Sequence, residues 1–424
     1  MRRIATFLAT LVTCAAAALT APATPAHAVA GSYSGTLGSG ATWIADVPDP
    51  WNGTLILYSH GFGPLVPQNA PNPETRAALL AQGYALAGSS YSGPSLWALA
   101  TAVDDQFATL HAVERITGAA RRTIAWGTSM GGLVSALEAQ RPRGLIDGAL
   151  TTCGLVAGAL NLNDYQLFGE YALARLLAPD QDIPLVRYAD AAEASAAASA
   201  LSAVVTEARA TPAGRARIAL GSALLNDPGT APPLQFVMPA RQQVELAAGG
   251  NSSATRGVDF SALLHSSPRA AEVRARYRDA GLDLAADLRT LTRDADITAD
   301  RGAVVTLART SMPTGRLGVP ELTIHTTVDQ LVPVEQENWY GKLVRRAGSG
   351  GLLRQAYVDA TGHCAFRPGE SIAALHALER RIDTGRWDAV SPEALNTASA
   401  ALGDQGRFAR YEPARLTGGL GEPR

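Results

Sequence analysis

The sequence predicts an α/β fold: a mostly parallel sheet with helices on both faces and a helical cap inserted into it. Three observations carry that expectation. From Thr54 to Thr152, short β-branched or apolar runs alternate with helix-forming segments, the pattern of parallel strands joined by crossover helices. The alternation stops near Leu155, gives way to Ala-rich helical stretches, and returns from Glu321 to Thr384. Within the first block, Arg122 to Leu133 reads RTIAWGTSMGGL, a buried-type strand that meets a small-residue turn and then a helix.

Composition sets the bounds. The chain has 424 residues, 47% hydrophobic and 17% charged, enough for one large core with an insertion or for two small domains. A formal net charge of −2 provides no basic field to hold nucleic acid or an anionic membrane. Lys342 is the only lysine, and the Arg and Ala bias points to a GC-rich genome more than to a function.

Met1 to Ala30 carries Arg2 and Arg3, an apolar stretch from Ile4 to about Ala21, and Ala26-His27-Ala28, an AxA cleavage signal. Residues 1–28 are therefore expected to be a secretory signal peptide, and the mature protein to be soluble and extracellular. The alternatives are a membrane helix, disfavoured by Pro22 and Pro25, and a lipoprotein-type Leu11-Val12-Thr13-Cys14, in which Thr before the cysteine fits poorly. No other run approaches the ~20 apolar residues of a membrane span, so no stable membrane anchor is expected. Removing the leader leaves Cys153 and Cys364 in a compartment that permits a disulfide, with two buried free thiols as the alternative.

Taken in order, Ser32 to Leu37 and Thr42 to Val47 read as an edge hairpin broken at Gly38-Ser39-Gly40. Thr54 to Ser59 is nearly continuous in apolar residues, as a strand covered on both faces requires, and runs into His60-Gly61-Phe62-Gly63. Pro73 to Gln82 is a helix with Pro at its start and Gly83 past its end. Tyr84 to Ser89, Trp97 to Thr117, Thr123 to Trp126, Leu133 to Gln140 and Ile146 to Thr152 continue the strand and helix alternation. This gives a core over 29–154 and 318–390, a cap over 155–317 and an extension over 391–424.

The cap contains helical pieces at Ala189 to Ala210 and Ala270 to Arg289, a Pro-rich break at Pro228 to Pro239 and a polar patch around Gly250 to Thr255. Its Ala-rich parts supply little bulky apolar surface and are expected to need the main domain to pack against. Glu321 to Thr326 and Leu352 to Asp359 are strands; Val334 to Arg346, Gly369 to Thr384 and Pro392 to Leu402 are helices; the polar tail beyond is expected to be loosely ordered.

Gly127-Thr128-Ser129-Met130-Gly131 fits the GxSxG pattern of a nucleophile elbow, in which the flanking glycines let strand and helix approach and the serine hydroxyl stands at a helix N-terminus. Such a serine needs a base and a carboxylate that fixes the base's tautomer. Asp329 follows the strand ending near Thr326, and His363 follows the strand ending near Asp359, so the chain order is Ser129, Asp329, His363. Asp164 and Asp359 are rival acids, and Asp329 has a bland reading as a helix N-terminal residue. His325 lies inside a strand and is expected to pack there. The remaining histidines have no paired metal-ligand spacing, so no metal is expected. Backbone donors for an oxyanion are expected from Met130 and Phe62, the latter from a loop whose alternative is a plain Gly turn.

These residues together resemble the α/β-hydrolase family, specifically secreted bacterial serine hydrolases of the esterase and prolyl-oligopeptidase-like groups. The resemblance covers Thr54 to Thr152 and Glu321 to Thr384, through HGFG, GTSMGG, TTVDQLVP and TGHCAF. It implies the α/β-hydrolase fold, an acyl-enzyme intermediate and no cofactor. A propeller domain is lacking, and HGFG stands where lipases carry HGGG.

Cys153 ends the strand after the elbow helix and Cys364 follows His363, so a bond between them would anchor the histidine loop to the sheet. Tyr91, Trp97, Trp339 and Phe366, with Phe62, lie near strand ends and are candidates for an aromatic acyl pocket, with core packing as the alternative. Glu170 and Glu245 are candidates to hold a substrate ammonium, or else lie on solvated helix faces. The expected substrate is a small-molecule or short-chain acyl compound. An ester is the first reading, an amidase or aminopeptidase the second, and a silent binding protein on the same fold the third.

Overall fold

A computed structural model describes residues 30–141, 144–229 and 232–420. The leader read over 1–28 lies outside the described residues. The chain begins with β1 (Gly31–Thr36) and β2 (Thr42–Val47), an antiparallel hairpin, followed by β3 (Thr54–Ser59). Next come α1 (Pro73–Ala81), β4 (Ala85–Ser89), α2 (Leu99–Thr117), β5 (Arg122–Thr128), α3 (Met130–Glu138) and β6 (Gly148–Thr152). Eight helices follow: α4 (Gly158–Leu177), α5 (Ala191–Ala208), α6 (Pro212–Leu225), α7 (Leu234–Ala248), α8 (Phe260–Ser266), α9 (Ala270–Asp279), α10 (Leu284–Arg293) and α11 (Arg301–Thr310). The chain then completes the sheet with β7 (Glu321–Val328), α12 (Glu335–Arg346), β8 (Leu353–Thr361), α13 (Pro368–Thr384), α14 (Pro392–Ala401) and β9 (Phe408–Ala409).

The nine strands form one sheet in the order β1-β2-β4-β3-β5-β6-β7-β8-β9. β3 through β8 pair in parallel, while β1, β2 and β9 run antiparallel to their neighbours at the two edges. Strand periodicity explains the two faces. Leu55 and Leu57 of β3 join a core with α2, α3 and α12, whereas Ile56 and Tyr58 join a second core with α1, α13 and α14. Each fully buried leucine or isoleucine here contributes about 1.5–3 kcal/mol relative to exposure.

The helices between β6 and β7 do not depend wholly on the sheet for their packing. Leu167, Phe168, Tyr171, Leu201, Leu220, Met238, Phe260 and Tyr277 belong to a separate apolar cluster. The expectation that this region lacked a core of its own is corrected: leucines and aromatics scattered among the alanines converge from several helices. α4 crosses α6 closely because Gly169 and Gly221 sit at the contact, where a Cβ on Gly221 would stand 2.5 Å from Leu173 Cγ. α7 starts within the supposed Pro-rich break and runs through Pro239, held by Leu234, Val237, Met238 and Val244 on its buried side. The helix expected over 270–289 is broken between α9 and α10, where Gly281 adopts φ 66°.

The tail is a second correction. β9 pairs with β8, Leu416 is buried, and Thr417 exchanges hydrogen bonds with the Asn226 side chain at 2.8 and 3.2 Å. Arg407 is tied to Glu370 at 2.8 and 2.9 Å, and Trp339 donates to the Leu420 carbonyl at 2.9 Å. Polar side chains from distant elements order a segment whose own composition gave no reason for it. Among the described residues, no helix is long and apolar enough to cross a membrane.

Candidate active site

Ser129 sits between the end of β5 and the start of α3, at φ 59° and ψ −121°. This is a sparsely populated region for a residue with a Cβ, and holding it costs roughly 1–3 kcal/mol. The surrounding backbone enforces it. Ser129 N–H donates to Thr152 O at 3.0 Å, and Gly132 N–H donates to Ser129 O at 2.9 Å. A Cβ on Gly127 would run into Gly131 O, and one on Gly131 into Ser59 O; one on Gly132 would meet Gly154 Cα at 2.5 Å. Gly131 and Gly132 therefore lie inside α3, which begins three residues earlier than its helix-forming composition suggests.

Asp329 follows β7 directly and is 1% exposed. Its Oδ1 accepts from Leu331 N–H and Val332 N–H, each at 2.9 Å, and its Oδ2 lies 2.7 Å from His363 Nδ1. The other imidazole nitrogen, Nε2, lies 2.8 Å from Ser129 Oγ. With Nδ1–H donating to Asp329, Nε2 is left as the acceptor for the serine hydroxyl. Burial alone would raise the Asp329 carboxyl; the hydrogen bond from His363, the charges of His363 and His325, and the Val332 donor outweigh it and hold it below the ordinary carboxylate range.

The rival acids lie elsewhere. Asp164 is on α4, where burial pushes its carboxyl up to about 7 against the opposing pull of Arg241 and Ala254. Asp359 is within β8 and accepts from Thr327 Oγ1 at 3.4 Å. His325 is fully buried in β7, with Nδ1 3.0 Å from Thr326 O.

The histidine loop is pinned to the sheet. Gly362, at φ 118°, donates to Val328 O at 2.8 Å, and Thr326 Oγ1 donates to Gly362 O at 2.9 Å. Cys153 and Cys364 form a disulfide with Cα atoms 5.3 Å apart. Cys153, Cys364 and His363 cluster closely enough for a metal site, but the disulfide has no thiolate to offer an ion.

The loop after β3 faces the serine. Gly61 has its α-carbon toward Ser129, such that a Cβ there would lie 3.3 Å from Ser129 Cβ. His60 is buried, stacks on Tyr91 with ring centroids 4.2 Å apart, and has its imidazole pKa lowered by burial in spite of hydrogen bonds to Gly61 O and Ser90 O. Tyr91 Oη donates to His60 O at 3.0 Å, and Gln106 Nε2 donates to Tyr58 O and Ser59 Oγ, both at 2.6 Å. Tyr91 thus supports this loop from within the core. Gln106 escaped the sequence reading; its only signal is a polar residue beside Asp105 on an otherwise apolar stretch of α2.

What decides the fold is the order of these parts along the sheet: the strand, tight serine turn and helix at the centre, then an acid and a histidine after two successive later strands. The chain has the α/β-hydrolase fold.

No known family model matches the sequence. The chain is 27% identical over 440 residues to an o-phthalyl amidase from Xanthobacter agilis, in a match that spans 92% of this chain and 96% of that protein. An esterase from Aspergillus oryzae superposes with a TM-score of 0.44 at 16% identity, covering 82% of this chain and 78% of that one. An acylaminoacyl peptidase from Pyrococcus horikoshii superposes with a TM-score of 0.42 at 11% identity, covering 86% of this chain and 43% of the other.

Between the serine elbow and α4 and α7 lies a cavity of about 40 Å³, walled in part by Ser129, Met130, His363, Phe62 and Trp97. Met130 opens α3, so its N–H has no intrahelical acceptor. Larger hollows of about 470 and 760 Å³ lie on the outer surface, away from Ser129, and contain none of these residues. Of the five aromatics expected at the pocket, Phe62 and Trp97 line it, and Tyr91, Trp339 and Phe366 do not. Trp339 packs in the core under α12, and Phe366 packs against the opposite face of the sheet. Both follow their elements into the core, which strand-end position alone does not reveal.

The cap supplies residues that sequence reading missed: Phe236, Asn163, Gln166 and Arg241 all reach the cavity wall. Phe236 meets Phe62 edge to face, with centroids 5.8 Å apart. Glu170 and Glu245 are buried rather than solvated. Glu170 accepts from Arg241 at 2.8 Å, and Glu245 accepts from Arg187 N–H at 2.9 Å.

Proposed function

We propose that this chain is a serine acyl-hydrolase that cleaves a carboxylic amide through an acyl-enzyme on Ser129. The hydrogen-bonded run from Asp329 Oδ2 through His363 to Ser129 Oγ, with links of 2.7 and 2.8 Å, is the observation that carries the reading. Ser129 Oγ attacks the substrate carbonyl as its proton passes to His363 Nε2. The oxygen of the tetrahedral intermediate takes hydrogen bonds from the N–H groups of Met130 and Phe62. His363 then gives its proton to the departing amine nitrogen, the C–N bond breaks, and the acyl group remains on Ser129. Water, deprotonated by His363, releases the acid. Asp329 stays ionised throughout and stabilises the imidazolium. Loss of one oxyanion donor in comparable sites costs about 2.7–4 kcal/mol of transition-state stabilisation.

The likeness to an o-phthalyl amidase across nearly the whole chain favours an amide over an ester, although the same steps cleave an ester. An aminopeptidase is disfavoured, because the carboxylates once candidates for a substrate ammonium are engaged with Arg241 and Arg187. The reading includes export: a disulfide beside the base suits an oxidising compartment, and the net charge of −2 suits a small-molecule substrate rather than nucleic acid. The test is a panel of acyl para-nitroanilides and matched para-nitrophenyl esters. Release of nitroaniline by the wild type, lost in Ser129→Ala, supports the proposal; ester turnover with every anilide inert removes the amide assignment.

A further inference from the structure

The oxyanion role given above to the Phe62 N–H depends on which way one peptide plane faces. Among the described residues that N–H has no acceptor, and Phe62 lines the cavity beside Ser129. The peptide joining Gly61 to Phe62 is trans, so its N–H points opposite to its carbonyl. Gly61 O lies 2.8 Å from His60 Nδ1. A carbonyl can only accept, so Nδ1 carries the proton there. Burial lowers the imidazole pKa against the pull of its two carbonyl contacts and keeps the ring neutral. The His60 ring thus fixes Gly61 O on its own side and leaves the Phe62 N–H turned away from it.

What fixes the His60 ring is Tyr91. Its ring stacks on the imidazole with centroids 4.2 Å apart and 22° between the planes, and its Oη donates to His60 O at 3.0 Å. One side chain therefore holds both the ring and the carbonyl of His60. Tyr91 is 1% exposed and adopts φ 61°, the left-handed region in which a bulky aromatic residue is a genuine outlier. Its neighbours over-determine that backbone: Tyr91 N–H donates to Ser89 Oγ at 3.0 Å, Ser90 Oγ donates to Tyr91 O at 3.0 Å, and Ser90 Oγ accepts from Thr42 N–H at 2.9 Å. Gln106 closes the base of the arrangement. Its amide donates to Tyr58 O and accepts from Ser89 N–H at 3.0 Å, bridging β3 and β4 beyond their last paired residues, Leu57 and Ala87. Strained backbone that its surroundings hold in place clusters where geometry serves function. A ring needed only to fill the core requires neither that backbone nor a hydroxyl directed at one carbonyl.

We propose that Tyr91 is a positioning residue for the oxyanion hole: by gripping His60 through both ring and hydroxyl, it fixes the Gly61–Phe62 peptide with its N–H directed where the substrate carbonyl becomes an anion. Tyr91 lies outside the wall of the Ser129 cavity and acts only through His60. Its effect belongs to the transition state, because the carbonyl oxygen gains charge only as Ser129 Oγ attacks. The inference rests on the acyl-transfer reading above and adds the residue that aims one of its two donors.

The test uses Tyr91→Phe, which keeps the ring stack and deletes the hydrogen bond to His60 O, and Tyr91→Leu, which deletes both. Turnover of para-nitrophenyl acetate is measured beside inhibition by phenylboronic acid, whose tetrahedral adduct on Ser129 places an oxygen in the hole. Tyr91→Phe is expected to lower kcat about tenfold with KM within about twofold of wild type, and Tyr91→Leu to lower it about 10²-fold, near the loss seen when one oxyanion donor is removed. The boronate inhibition constant should rise in step with the fall in kcat/KM across the three proteins. A residue that only stabilises the fold would lower the denaturation midpoint and leave kcat and boronate affinity of the folded protein unchanged. Wild-type kcat and boronate affinity in Tyr91→Phe, or a loss confined to KM, overturns the inference, and Tyr91→Phe decides the matter even if Tyr91→Leu does not fold. A wild type that neither turns over the ester nor takes a fluorophosphonate on Ser129 removes the acyl-transfer reading and this inference with it; an active wild type matched by Tyr91→Phe removes this inference alone.

Discussion

Cys364, the residue after His363, is bonded to Cys153 at the end of β6, and its Sγ lies 3.4 Å from His363 Nε2. The bond closes a separation of 211 positions and fixes the base's loop to the strand beside the elbow. Cross-links of this kind typically contribute about 2–4 kcal/mol of stability. Replacing both cysteines by alanine is expected to lower denaturant stability by that amount and to reduce kcat through a looser His363. Unchanged kcat in a destabilised double variant would confine the bond to a stabilising role.

Asp329 Oδ2 contacts the imidazole while Oδ1 is held by two backbone donors, so Asp329→Asn should keep the fold and misassign the histidine tautomer. A kcat loss of about 10⁴-fold is expected by analogy with a serine triad of known behaviour. Asp164→Asn, on α4, should change kcat far less. Steady-state kinetics of the two variants check this, and a reversed order would reassign the acid.

Glu321 lies fully buried at the start of β7, accepting from Thr151 Oγ1 at 2.8 Å and Tyr340 Oη at 2.6 Å. Burial pushes its carboxyl up to about 7, despite those two donors. Because the folded-state value is raised, the stabilisation it confers is full below the unfolded value of 4.5 and is lost as pH rises through about 7. Glu321→Gln should therefore flatten the fall in stability between these limits, with a gain at pH 8 of at most about 3 kcal/mol. Denaturation midpoints measured across that range test the sign.

Phe236 closes the cavity against Phe62 while remaining 45% exposed. A space of about 40 Å³ exceeds the ~10–15 Å³ needed for one water but restricts a bulky acyl group. Phe236→Ala is expected to raise kcat/KM severalfold for larger acyl groups, with a stability change of less than about 1 kcal/mol at so exposed a site. Anilides of increasing acyl size provide the series.

Much of the sheet was legible because its signals are local. β2 and β3 have the bounds read from the sequence, since Gly and Pro bracket them, and GTSMGG marks the tight turn because only glycines fit against Ser59 O and Gly154. The positions of Asp329 and His363 followed from counting strands. The pocket was not legible, because Arg241 and Gln166 reach it only after α4 and α7 pack over the sheet. Trp339 and Tyr91 misled for the same reason: proximity to a strand end does not say whether a ring turns toward the cavity or the core. The tail was misread because its partners Glu370 and Asn226 are remote in sequence.

The most direct test of the account is mass mapping after treatment with a fluorophosphonate probe, combined with turnover measurements on the same preparations. One adduct per chain, located on Ser129, absent in Ser129→Ala and slowed at least about 10³-fold in His363→Ala, is the expected result. An adduct on another residue, or undiminished hydrolysis by Ser129→Ala, would contradict it.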